Sequence, residues 1–131
     1  MAIELTMLGY ATGLLIVLVL IQAVAGVRGQ GLMPLANSRD GLAQPAGFHA
    51  RALRVVNNHR EGLTIFAPLA LIAVLAHHTN STTAMGAQLF AVSRAAHAAL
   101  YLLGVPVIRP LVWGVGLAGT VMVGLGAMGL A

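Results

Sequence analysis

The chain contains no cysteine and no lysine, and only three of its 131 residues are acidic. Without cysteine, disulfides are excluded, and any thiol chemistry must use a thiol that arrives with a substrate. Without lysine, all seven basic side chains are arginines. Arginine keeps its charge when desolvated and offers a planar fork to carboxylates and phosphates, which suits buried anion sites. Charged residues make up 8% of the chain, against about 25% in an ordinary soluble domain. A formal charge of +4 is too sparse for the basic stripe that nucleic acid requires. His49, His59 and His97 lack the spacing of metal ligands, so no metal is expected. No acid other than Glu61 lies near His97, which leaves no Ser-His-Asp set.

What the chain has in plenty is apolar sequence: 59% hydrophobic residues and a mean hydropathy of +0.91. Leu5 to Val27 carries no charge and is bounded by Glu4 and Arg28. At about 1.5 Å per residue this run crosses a hydrocarbon core of roughly 30 Å. Its acidic start and its length argue against a signal peptide. Gly62 to Ala76 is the apolar part of a second helix that begins near Pro45, and Ala84 to Leu103 is a third, interrupted by Arg94 and His97. Pro110 to Ala131 is a fourth and uncharged. The joints, His77 to Thr83 and Gly104 to Arg109, leave room only for hairpins. The expectation is an all-α, up-and-down four-helix membrane bundle in one domain, with spans near 5–27, 50–77, 84–103 and 108–130.

Arg28, Arg39, Arg51, Arg54 and Arg60 fall between the first two spans, and Arg109 lies in the hairpin on that side. The positive-inside rule therefore places the loop 28–50 in the cytoplasm and both termini opposite. Gly9 with Gly13, and Gly116 with Thr120 and Gly124, form stripes of small residues that let helix backbones approach in lipid.

Two polar constellations interrupt this apolar plan. In RALRVVNNHRE, the residues Arg51, Arg54, Asn58 and Glu61 fall within a helical arc of roughly 80°. The apolar stretch after them is only about 23 Å long, so the bilayer reaches back over Glu61. In SRAAHAALY, the residues Arg94, His97 and Tyr101 share one face at spacings of three and four. A charge such as Arg94 near mid-membrane faces the bundle interior with a partner, for which Glu61 or backbone carbonyls are the expected groups. His97 and Tyr101 come to the depth of Glu61 and Asn58, so the two stripes meet at one level. Such a pocket suits a small zwitterion with extra negative charge, since arginine forks bind carboxylates and Glu61 can bind an ammonium group. An anion-binding or transport protein without chemistry, or a purely structural bundle, would use the same residues.

RALRVVNNHRE followed by SRAAHAALYLLGVPVIR resembles the MAPEG family, the membrane-associated proteins in eicosanoid and glutathione metabolism. The shared pattern is R-x-x-x-N-x-x-E opening the second span, R-x-x-H-x-x-x-Y in the third, and an Arg opening the fourth. The resemblance implies a homotrimer that binds glutathione between subunits near the cytoplasmic side. Arg54, Asn58 and Glu61 would hold the charged ends of the peptide, His97 and Tyr101 would line the pocket, and Arg28 would add a further contact. Arg109 matches the Arg placed near the glutathione sulfur, where it would favour the thiolate for attack on a lipophilic electrophile or peroxide. The implied activity is that of a glutathione transferase or peroxidase, with glutathione as co-substrate. Pro110 stands where the prostaglandin synthase branch has a Ser implicated in catalysis. His97 resembles that branch, whereas the leukotriene synthase branch has a Tyr there.

Overall fold

Uninterrupted apolar sequence forms the first long helix, α1, over Ile3–Gln30. A computed structural model describes all residues 1–131, and it is helical throughout, without strands. The short α2 covers Leu32–Ala36, and three longer helices follow: α3 over Gly47–Leu75, α4 over Ser81–Leu102 and α5 over Ile108–Ala127. The four long helices overlie the four apolar runs.

Helix ends follow local chemistry. α1 continues through Arg28 to Gln30, so Arg28 belongs to the helix and not to the loop that the charge pattern suggested. Arginine is a good helix former, and nothing breaks the helix before Gly31, which adopts φ 86° and bonds its N–H to Val27 O at 2.9 Å. α2 was not legible in the sequence, because five residues are too few to show a period. At its partner end, α4 starts with a capping box: the Asn80 side chain accepts the Thr83 N–H while Thr83 Oγ1 accepts the Asn80 N–H.

Contacts between helix ends show that chain direction alternates. The start of α1 meets the start of α4 through Glu4 and Thr83. The start of α3 meets the end of α4, where Arg51 Nε donates to Leu102 O at 3.2 Å. The α3–α4 turn meets the end of α5, where His78 Nδ1 pairs with Ala127 O at 2.9 Å. Between these ends the core packs around Phe66 and Phe90, whose rings stack at 4.0 Å. Leu18, Val55, Val56 and Ala98 form a second cluster beside it, nearer the arginine-rich end.

α4 and α5 touch backbone to backbone. A Cβ on Gly86 would stand 2.6 Å from Gly119 O, and one on Gly119 would stand 2.9 Å from Phe90 N. The close approach thus runs through Gly116, Gly119 and Gly126, whereas Gly124 of the expected stripe faces α3, where its Cβ would lie 3.3 Å from Leu69 Cδ1. Gly9 and Gly13 have nothing within 4 Å of a built Cβ, so within one chain that pair brings no helices together.

α1 and α5 are long and apolar enough to cross a membrane. Only 17% of the apolar window of α1 is buried, unlike a helix enclosed in a soluble core. Ile16, Leu20, Leu111 and Leu125 are among the large side chains turned outward, as lipid-facing surfaces require. α3 and α4 carry the Arg, Asn, Glu and His residues that lower their hydropathy, and those residues build the site.

Candidate functional site

Arg54, Asn58 and Glu61 project from α3 at spacings of four and three, so they form a single stripe. His97 and Tyr101 do the same on α4, and Arg109 opens α5. Packing brings the stripes into contact. Arg54 Nε donates to Tyr101 Oη at 3.0 Å, and the Arg109 guanidinium lies over the Tyr101 ring, 4.5 Å from its centroid. Guanidinium over an aromatic face is a favourable cation–π arrangement. The His97 ring stands 5.6 Å from that of Tyr101, tilted by 59°. Asn58, His97, Tyr101 and Arg109 line an open groove of about 320 Å³, with Trp113 and Pro110 on its α5 wall. His97 is 4% exposed, and its Nδ1 has no hydrogen-bond partner. Such an orphaned buried nitrogen is costly unless a ligand or water satisfies it.

Behind the groove, Arg94 is buried at 3% exposure. Its hydrogen-bond partners are neither Glu61 nor backbone carbonyls, the two groups expected from the sequence. Arg94 Nη2 donates to Asn58 Oδ1 at 2.5 Å, and its Nε donates to His59 Nδ1 at 3.4 Å. An arginine has no acceptor, so His59 Nδ1 must accept, and its Nε2–H donates to Ala11 O at 2.7 Å. A chain of hydrogen bonds therefore runs from α1 through α3 to α4 and fixes how Asn58 points. Arg94 packs along the backbones of Gly62 and Gly116, whose Cβ positions would lie in ordinary contact with it at 3.6 Å. Glu61 sits beside this relay, sharing with Asn58 and Arg94 a cavity of about 40 Å³. That is space on the order of one water molecule.

Chemically, the cluster can hold anionic groups at Arg54 and Arg109, a cation at Glu61, and an amide at Asn58. No group of three or more His, Asp or Glu side chains is placed to hold a metal ion. A family model of the MAPEG family matches residues 6–129. The chain belongs to the MAPEG family. This family includes glutathione-dependent transferases and peroxidases, and also members that are not enzymes. Membership together with the two long apolar helices makes this a membrane protein. Comparison with curated proteins and with solved structures finds no match.

Within this MAPEG chain, the residues singled out in the sequence do not all converge. Asn58, His97, Tyr101 and Arg109 line the groove, Arg54 joins them through the Tyr101 hydroxyl, and Glu61 adjoins. Arg28 does not join them. It ends a separate, apolar depression on α1, lined by Val17, Leu20, Val24 and Phe48. Arg51 turns away to the end of α4. Two members of the site went unread in the sequence. His59 shares a helical face with Ala52, Val55 and Val56, all buried; a histidine on a core face needs a partner, and that was its signal. Trp113 follows Arg109 by four residues and so shares its face.

Proposed function

We propose that this protein is a glutathione-dependent membrane enzyme of the transferase or peroxidase type. The observation that carries the reading is the convergence of Asn58, His97, Tyr101 and Arg109 on one groove at the arginine-rich end, with Arg54 bonded to its Tyr101. Glutathione has two carboxylates, an ammonium, two amides and a thiol. Arg54 would take a carboxylate, Glu61 the ammonium, and Asn58, oriented by Arg94, a peptide amide. His97 and Tyr101 would close the pocket around the peptide. Arg109, already held over Tyr101, would stabilise the thiolate; each unit by which the thiol pKa falls corresponds to about 1.4 kcal/mol. The thiolate sulfur would then form a bond to an electrophilic carbon as the leaving group departs with its electron pair. With a hydroperoxide, attack on oxygen would break the O–O bond and release an alcohol, and a second glutathione would complete the disulfide with loss of water.

Assembly as a homotrimer would give Arg28 a role: it lies in a depression separate from the groove, and a neighbouring subunit could bring it to a bound peptide. Each chain is then an up-and-down bundle of four spans. Arg28, Arg39, Arg51, Arg54, Arg60 and Arg109 mark the cytoplasmic end, with the 31–46 connection there and both termini opposite. The lipophilic substrate would enter from the bilayer. Conjugation of glutathione to 1-chloro-2,4-dinitrobenzene by the purified protein, with glutathione titrated, tests the reading. Saturable turnover that Arg109→Ala reduces is the expected result. Absence of both binding and turnover would overturn it, and binding without turnover would leave a carrier or sensor of the peptide.

A further inference from the structure

A larger cavity lies away from the groove, where the connection between α1 and α3 arches over the end of α1. It has a volume of about 530 Å³, within the roughly 300–1,000 Å³ usual for ligand pockets. Several local devices hold the arch open. Gly31 at φ 86° turns the chain off α1, and Gly47 at φ 57° turns it onto α3. Gln30 Nε2 donates to Ala43 O at 2.6 Å and pins the connection to α1. Arg39, itself at φ 67°, donates its Nε to Leu35 O at 2.8 Å and closes α2. Gly26 packs closely here: its Cβ would lie 3.2 Å from both His49 Nε2 and Leu35 Cδ1.

The wall of this cavity is chemically one-sided. His49 is 9% exposed, and its Nδ1 is buried without a partner. Its Nε2 faces the lining residues Gly26 and Leu35. Arg39 has committed only its Nε and keeps its terminal N–H groups. Gln22 and Gln44 add carboxamides, and leucines, alanines, Val27 and Pro45 supply most of the remaining lining, with no acidic side chain among it. A cationic ligand finds no counter-charge there. A single negative charge on an apolar body finds a guanidinium, an imidazole and carboxamides set among aliphatic surface.

We propose that this cavity is a second binding site, for an anionic amphiphile whose carboxylate or phosphate contacts Arg39 and His49. It does not depend on glutathione binding at the groove. The occupant is either a free fatty carboxylate or the headgroup of an anionic lipid, since the cavity opens at the end of α1 where a bilayer surface would lie.

The test uses the full chain in nanodiscs of phosphatidylcholine, titrated with labelled decanoate and, separately, with decanol. Saturable decanoate binding of one molecule per chain is expected, with decanol showing only unsaturable partition. Arg39→Gln should weaken decanoate about tenfold, the worth of one charge-assisted hydrogen bond. Gly26→Leu should fill the cavity and abolish saturable binding. Arg39 is exposed in the connection, so its variant carries the test if Gly26→Leu fails to fold. Phosphatidylglycerol added to the nanodisc should compete if the lipid headgroup is the natural occupant, and should leave decanoate binding unchanged if a free carboxylate is. Unsaturable decanoate binding, or equal affinity in wild type and Arg39→Gln, would overturn the proposal.

Discussion

The two ends of the helix assembly use polar residues in opposite ways. At the end holding both termini, polar groups are consumed in tying helices together. Glu4, only 2% exposed, accepts the Thr83 hydroxyl. Asn80 caps α4 and donates Nδ2 to Ala131 O at 2.9 Å, and His78 pairs with Ala127 O. At the arginine-rich end, the polar groups around the groove are gathered but only partly consumed. Arg54 commits its Nε to Tyr101, Arg109 lies on a ring face, and His97 Nδ1 has no partner. Satisfied polar groups stabilise a fold, whereas unsatisfied ones that are held in place are what a ligand can use. On this contrast, one end serves stability and the other is the end proposed to bind.

That contrast can be broken by substitutions that should affect only one property each. The largest effect belongs to Glu61→Gln, which removes the charge proposed to anchor an ammonium before and during chemistry. Loss of such uniform binding should raise the KM for glutathione about ten- to a hundredfold, with little change in kcat. Equal loss in kcat would mean that Glu61 acts on the reacting atoms instead. At the other end, Thr83→Val leaves the buried Glu4 carboxylate without its donor. Stability should fall by about 1–3 kcal/mol, read as a lower midpoint in thermal unfolding, while KM stays at its wild-type value. A change in KM with unaltered stability would erase the division between the ends. The smallest effect is expected of Tyr101→Phe, which keeps the ring under Arg109 but removes the acceptor for Arg54. A rise of about fivefold in KM, equivalent to about 1 kcal/mol, is the outcome to compare with unchanged unfolding.

Much of this arrangement was legible in the sequence, for a physical reason. Spacings of three and four place Arg54, Asn58 and Glu61, or His97 and Tyr101, on one face whatever surrounds the helix. A charge interrupting an apolar run, as Arg94 does, must turn inward. What stayed hidden depends on partners distant in sequence. His59 bonds a backbone carbonyl, Ala11 O, which no side-chain pattern announces. Glu4 reads as a boundary charge, and only the return of α4 to the start of α1 buries it against Thr83. The glycine seam was half visible: Gly116 was read, but the contact of Gly119 with Gly86 requires knowing which faces of α4 and α5 meet. The cavity beneath the 31–46 connection rests on positive-φ turns and a five-residue helix, neither of which leaves a periodic trace.

The proposed role of Arg109 is the most exposed part of the account. If its guanidinium stabilises the bound thiolate, then Arg109→Ala should raise the pKa of that thiol. Turnover would fall near neutral pH and partly recover as the pH increases. The thiolate absorbance of bound glutathione, followed against pH in wild type and Arg109→Ala, measures this directly. A titration displaced to higher pH in the variant is expected. Coincident titrations would contradict it and leave Arg109 as an interfacial anchor.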